Sequence, residues 1–273
     1  MLVLERRIIN RVTVLRTCFD LCLIAAIVAL LFRKPITSPL WRSSVVHFVP
    51  SKEKAVALTF DDGPDPRFTE PVLRILSKYH AKATFFMIGA RMTKYPDLVH
   101  DVLAGGNAVG NHTYSHPSNL EHLNAVEIVR ELDRCESVID KMTGKPTHLF
   151  RPPRGLVDGL VYAIAEEAGY QTILWTVCAD HHDAPTPESM CRRVERQVRP
   201  GAIILAHDGR YSIRWKDVQA TAMIVESLTR NGYRFLTVPE LLERASPAHQ
   251  NGGLSQFLER LGQVWGASQG PPK

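Results

Sequence analysis

Residues 55–64 read Ala55-Val56-Ala57-Leu58-Thr59-Phe60-Asp61-Asp62-Gly63-Pro64, a short apolar run that ends on two adjacent carboxylates and a Gly-Pro turn. The run Ala55–Phe60 has strand length, and the polar chemistry begins where it stops. The pattern recurs along the chain. Strand candidates Ala83–Ile88, Ala108–Gly110, His148–Arg151, Thr172–Val177, Ala202–Ala206 and Phe235–Val238 follow it. Between them lie helix candidates Thr69–Tyr79, Asp97–Leu103, Ala125–Met142, Leu160–Ala168, Pro187–Val198 and Val218–Thr229. Glycine stop signals follow several of these, at Gly105-Gly106, Gly144, Gly169, Gly201 and Gly232. Seven strands alternating with six helices predict a parallel α/β fold, either a barrel or an open doubly wound sheet. No G-x-G-x-x-G opens a helix after the first strand, which weakens the dinucleotide-binding version.

The unusual polar residues stand immediately after strands. Asn111-His112-Thr113-Tyr114-Ser115-His116 follows the third, and Phe150-Arg151-Pro152-Pro153-Arg154-Gly155 ends the fourth. Trp175-Thr176-Val177-Cys178-Ala179-Asp180 closes the fifth, and Leu205-Ala206-His207-Asp208 the sixth. In parallel β/α folds the C-terminal strand ends converge on one rim, so these clusters and Asp61-Asp62 are expected to meet there. Singly, each has an ordinary reading. An Asp-Asp pair before Gly-Pro caps a turn or helix, a His-x-x-x-His pair arises readily among 11 histidines, and His207 suits a hydrogen-bonded loop. Jointly they form a coherent site. Two imidazoles and one carboxylate make a three-ligand metal site with positions left for water, as in catalytic zinc centres. The second carboxylate is then placed as a base, an arginine can hold it ionised, and a histidine on another strand can supply the acid.

With these motifs in this order, the chain resembles the polysaccharide deacetylase (NodB-homology) family from about Lys54 to Pro239, roughly two-thirds of its length. The resemblance implies a distorted (β/α) barrel of about seven parallel strands. It implies Asp61 as general base, Asp62, His112 and His116 as ligands of a divalent metal, usually Zn2+, and Arg151 as the group orienting the base. It further implies that Leu205 lines an acetyl pocket and that His207 is the general acid. The reaction expected is hydrolysis of N-acetyl groups on a polysaccharide or oligosaccharide of N-acetylglucosamine type, a cell-wall or chitin-like glycan, releasing acetate. Two other readings stand beside it: an O-acetyl esterase acting on a xylan-type glycan, and a non-catalytic membrane-tethered glycan-binding domain.

The family pattern departs twice. Its fourth-strand motif usually reads R-x-P-Y-G, and here Arg154 stands in the tyrosine position. The role carried over is a backbone N–H facing the oxyanion, which Arg154 retains and Pro153 lacks. The next motif usually ends D-x-x-D-W after a Trp or similar residue, here Trp175. This chain has Cys178 at the first Asp, then Asp180-His181-His182-Asp183-Ala184 with no following Trp. Either Asp180 or Asp183 supports His207, or that interaction is missing. His181 and His182 are read as solvated loop histidines or a second metal locus.

The formal charge of +5 and a pI near 9.0 raise the question of an acidic partner. Residues 1–50 hold seven lysines and arginines against two acids, which leaves the remainder balanced at 26 against 26. The domain therefore has no bulk electrostatic case for nucleic acid. The basic residues flank the twelve-residue apolar run Leu21–Phe32, and Val12–Phe32 offers 21 positions, about the length of a span. Arg16 and Asp20 lie four apart within it and can pair. No A-x-A-like cleavage site follows, so an uncleaved signal anchor is preferred over a cleaved signal or a buried soluble helix. The charge asymmetry places the N-terminus in the cytoplasm and the domain outside a single-pass membrane anchor. The organisation expected is 1–34 flank and transmembrane anchor, 35–53 linker, 54–245 catalytic domain and 246–273 tail. In the tail Leu254, Phe257, Leu258, Leu261 and Trp265 share a helical face. Five scattered cysteines give neither a disulfide framework nor a zinc knuckle.

Overall fold

Strands and helices alternate throughout the computed structural model, which describes residues 45–180 and 184–245. The anchor, most of the linker, His181, His182, Asp183 and the tail helix lie outside the described residues. Within them the order begins β1 (Val45–Val46), β2 (Ala55–Asp61), α1 (Thr69–Lys78), β3 (Ala83–Met87), α2 (Gly89–Lys94) and α3 (Pro96–Ala104). It continues with β4 (Ala108–Asn111), α4 (Ala125–Thr143), β5 (Leu149–Phe150), α5 (Gly159–Glu167), β6 (Gln171–Ile173) and β7 (Val177–Cys178). It ends with α6 (Pro187–Gln197), β8 (Ile203–His207), α7 (Trp215–Arg230), β9 (Arg234–Phe235) and α8 (Val238–Glu243). The strands form one parallel sheet in the order β1-β6-β5-β4-β3-β2-β8-β7, with β9 beside the start of β2. The sheet curls into a half-barrel. At its two ends Thr176 Oγ1 donates to the carbonyl of His47 at 2.6 Å, and Phe48 bridges antiparallel to Ala202.

Side chains alternate across the strands and sort the core into two layers. Along β2, Val56, Leu58 and Phe60 pack outward against the helices with Phe85, Met87, Ile204 and Ala206. Ala55 and Ala57 face inward with Phe86, Leu149, Ile173 and Ile203. The inward series continues to Thr59 and Asp61, so a small-residue floor leads to a polar top. The parallel register pairs Thr59 with Leu205 and Asp61 with His207, which brings the ends of β2 and β8 level.

Three expectations are corrected. The expected barrel of about seven strands is a half-barrel, and its sheet has nine strands among the described residues. One extra strand is β1, which lies in the stretch read as linker and pairs with β6 at Val45–Thr172 and Val46–Ile173. The other arises because Thr172–Val177 is two strands. Leu174 N bonds to Val46 O and Thr176 N to Ile203 O, so the chain crosses here from one end of the sheet to the other. The carbonyls of Ile173 and Leu174 instead accept from the Arg151 guanidinium at 2.9 and 3.0 Å. The last expected strand, Phe235–Val238, stops at Phe235, because Thr237 and Glu240 form a capping box that starts α8.

Candidate active site

Arg151 organises the rim. It is fully buried, and its Nη1 donates to Thr59 Oγ1 at 2.9 Å and to Asp61 Oδ1 at 2.7 Å. Its guanidinium lies 4.0 Å from the Phe86 ring centroid and 5.7 Å from that of Trp175. All its donors converge on carbonyls, a hydroxyl and one carboxylate, which satisfies a charge that burial would otherwise penalise. The other Asp61 oxygen, Oδ2, is left facing the histidines, 3.8 Å from His112 Nε2.

The two histidines sit on a loop held from three sides. Asn111 Oδ1 accepts from Thr113 N at 2.9 Å, and Thr113 Oγ1 accepts from His116 N at 3.1 Å. Gly89 N and Ala90 N at the start of α2 donate to the carbonyls of Thr113 and Tyr114. From α4, the Glu131 carboxylate accepts from Ser115 N and Oγ, both at 2.8 Å. His112 Nδ1 donates to the Arg151 carbonyl at 2.7 Å, so Nε2 carries the free lone pair and points into the site.

Asp62, His112 and His116 bring one ligand atom each to within 4.8 Å of one another. His116 Nε2 stands 3.2 Å and His112 Nε2 3.8 Å from Asp62 Oδ1. Burial would raise the Asp62 carboxyl, yet the His116 hydrogen bond and the imidazoles of His207 and His112 hold it well below the usual carboxylate range. Burial lowers the His112 pKa despite the nearby Asp61 charge. One anionic oxygen and neutral imidazole nitrogens are the donor set that a borderline divalent cation takes. The residues fit a metal. Arg210 already brings positive charge to the same atoms. Its Nη1 contacts the His116 ring, 3.0 Å from Nε2, and lies 3.7 Å from Asp62 Oδ1.

His207 stands beside Asp61, at the end of the neighbouring strand β8. Its Nδ1 is 3.4 Å from Asp180 Oδ2 and 3.6 Å from Asp217 Oδ1. Arg214 Nη1 lies 3.5 Å from Asp180 Oδ2 and 3.7 Å from Asp217 Oδ2, while its Nη2 reaches Asp62 Oδ2 at 3.5 Å. Burial lowers the His207 pKa, but the Asp217 carboxylate raises it, and with the Asp62 and Asp61 charges it outweighs both burial and Arg214, so the net shift is upward. Of the two carboxylates weighed as supports for His207, Asp180 therefore faces it, and Asp183 lies outside the described residues. At Cys178, burial pushes the thiol up to about 12, so this side chain offers no charge. Arg193 from α6 fixes the turn by donating to the Cys178 carbonyl at 3.1 Å.

The remaining predicted residues line the same mouth. Leu205 is buried on the inward face of β8. Arg154 is left-handed at φ +61°, and its Nη1 donates to the Ser118 carbonyl at 3.0 Å. Gly155 follows at φ +68°, and a Cβ there would meet the Trp175 ring at 2.4 Å. Trp175 thus packs over a backbone that only glycine allows. Positive φ angles at Asp62, Thr113, His116, Arg154 and Arg210 concentrate at this rim, where surrounding bonds over-determine an unfavourable backbone. A cleft of about 880 Å³, lined by Glu70, Lys82 and Asn107 among others, lies at the opposite, N-terminal ends of β3 and β4. Sequence reading missed Arg210, Arg214 and Asp217. The signal for them is the charged run from Arg210 to Asp217, straight after His207-Asp208 and just ahead of the helix expected from Val218.

A half-barrel whose neighbouring strand ends set a guanidinium-held carboxylate and a carboxylate-supported histidine beside a metal-type triad has the equipment of a hydrolase. Comparison with known proteins narrows the class. The polysaccharide deacetylase family model matches residues 49–173. Over 198 residues the chain is 44% identical to a peptidoglycan-N-acetylglucosamine deacetylase of Bacillus cereus, covering 71% of this chain and 91% of that one. It is 32% identical to a chitooligosaccharide deacetylase of Azorhizobium caulinodans, covering 59% of this chain and 77% of that one. A crystal structure of a peptidoglycan N-acetylglucosamine deacetylase superposes with a TM-score of 0.71 at 30% identity, covering 76% of this chain and 97% of that one. The chain belongs to the polysaccharide deacetylase family and is a hydrolase of that kind.

Proposed function

We propose that this protein removes N-acetyl groups from N-acetylglucosamine-type residues of a cell-wall or chitin-like glycan, releasing acetate and a free amine. The observation that carries this reading is the division of labour in Asp61: Oδ1 is held by Arg151 and Oδ2 faces the triad, with His207 level on the neighbouring strand. Asp62, His112 and His116 would hold a divalent metal, zinc by donor chemistry. Such an ion acidifies water and polarises a carbonyl.

Asp61 Oδ2 is the basic atom and takes the proton of the attacking water, while Arg151 keeps the carboxylate oriented. The Arg154 N–H stabilises the developing oxyanion, a contact commonly worth about 3 kcal/mol. His207 protonates the leaving amine, with Asp180 and Asp217 stabilising its imidazolium. Leu205 and Trp175 wall the acetyl pocket and shed water. Residues 12–32 anchor the chain with its catalytic domain outside the membrane.

The test is acetate release from chitin oligomers, peptidoglycan and acetylated xylan, with and without chelator. Asp61→Asn should keep its metal and lose about 10²–10⁴-fold in turnover, whereas His112→Ala should lose the metal. Acetate from xylan alone reassigns the protein to O-acetyl esterase chemistry. Unchanged acetate release by both variants overturns the site.

A further inference from the structure

The segment from Gly209 to Trp215 carries more than the two arginines that reach Asp62. It presents Tyr211 at 52% exposure, Ile213 at 38% and Trp215 at 50%. Among the described residues, Tyr211 and Trp215 are the aromatic members of the exposed large hydrophobic set. Neither ring is loose. The Arg210 and Arg214 guanidinium carbons stand 5.1 and 5.6 Å from the Tyr211 ring centroid. The same two guanidiniums lie 3.7 and 3.5 Å from Asp62, so the phenol is one arginine away from the triad. Trp215 packs edge-on against buried Phe68, with centroids 5.4 Å apart, which leaves half of the indole toward solvent at the start of α7.

Folding does not need these rings in water, since burial is what rewards an aromatic side chain. Two pre-ordered aromatic faces beside a hydrolytic centre suit a ligand with apolar faces and a hydroxylated rim, as a pyranose ring has. Ordering before binding lowers the entropic cost of association. Continuity with the triad fixes the occupant: whatever lies on Tyr211 is the continuation of a molecule whose acetamide is at Asp62.

We propose that Tyr211 and Trp215 form a stacking platform for sugar residues adjoining the one that is deacetylated, so that the enzyme recognises an extended glycan and not a single amino sugar. This rests on the deacetylase reading above. The direct experiment is calorimetric titration of N-acetylglucosamine dimer and hexamer into the Asp61→Asn protein, alone and combined with Tyr211→Ala or Trp215→Ala. Each replacement should weaken hexamer binding about tenfold, the scale of one stacked ring, and weaken dimer binding less. Tyr211→Phe should restore it. On the active enzyme, the loss should enter through KM for the hexamer and not through kcat. Should Trp215→Ala fail to fold, Tyr211→Ala alone carries the test, since its ring is half exposed and does not pack into the core. Unchanged hexamer affinity with Tyr211→Ala overturns the platform. A wild-type protein that releases no acetate from any glycan overturns the deacetylase reading, and the titration then still decides whether the rings bind sugar.

Discussion

At the scale of residues, the site is a set of buried charges that hold one another. Asp217 is fully buried and meets both His207 and Arg214 at 3.6–3.7 Å. Asp217→Asn should lower kcat by about tenfold or more with little change in KM or metal content, as loss of an orienting partner does. With one raising carboxylate gone, the His207 pKa falls, so the alkaline limb of the kcat profile should move to lower pH. Asp208 is a different case. Burial raises its carboxyl from 3.8 to about 7, aided by the Asp62 and Asp61 charges, and Thr69 donates to it at 2.6 Å. A raised folded-state pKa means that this group's stabilisation is full below 3.8 and is lost as pH rises through about 7. Asp208→Asn should therefore melt several degrees above wild type at pH 8, with the gap closing near pH 4; thermal melts of metal-free protein across that range check it. The proposed site was partly legible. Asp61, Asp62, His112, His116 and His207 stand at strand ends in a readable order. Arg214 and Asp217 were less legible: they stand in a charged run straight after His207-Asp208, but their partners Asp62 and His207 are 152 and 10 residues away, and only the folded sheet shows the contacts.

At the scale of elements, the ends of the half-barrel are joined by single backbone and side-chain contacts that hydrophobic pattern does not encode. The pattern read Thr172–Val177 as one strand, since all of its residues suit a strand. The break at Leu174 depends on which neighbour takes each backbone group, and those neighbours come from β1, β8 and Arg151. Gly201 shows the same dependence. It sits at φ +91°, and a Cβ would stand 1.7 Å from the Val49 carbonyl. Its own carbonyl accepts from Val49 N at 3.0 Å, and its N–H donates to Ala55 O at 2.7 Å. Gly201→Ala should cost more than about 1 kcal/mol through backbone conflict alone. We expect a melting point several degrees lower and early proteolysis near residues 45–53, read by limited digestion. The helices were the more legible elements. Those carrying apolar periodicity and caps, such as α4 with its Asn124–Glu127 box and Gly144 at φ +71°, begin and end within a residue of expectation.

At the scale of the whole molecule, charge and chemistry are segregated. The net +5 belongs to the first 50 residues, while the catalytic domain is balanced. The full chain should therefore sediment with membranes and resist alkaline carbonate, yielding to detergent; release by carbonate would remove the anchor from the proposal. The sequence by itself determined the alternation of strands and helices that makes a parallel sheet and the rim on which the polar clusters gather, and its motifs carry the resemblance from which base, metal ligands and acid are proposed. Local periodicity and strand-end position are properties of neighbouring residues, so they survive without coordinates. The tertiary structure decided which carboxylate faces His207, how Arg151 both closes the strand break and holds Asp61, and that two arginines and two aromatic rings crowd the mouth. Those are contacts between distant segments, set by register and by the curl of the sheet, and no stretch of sequence contains them.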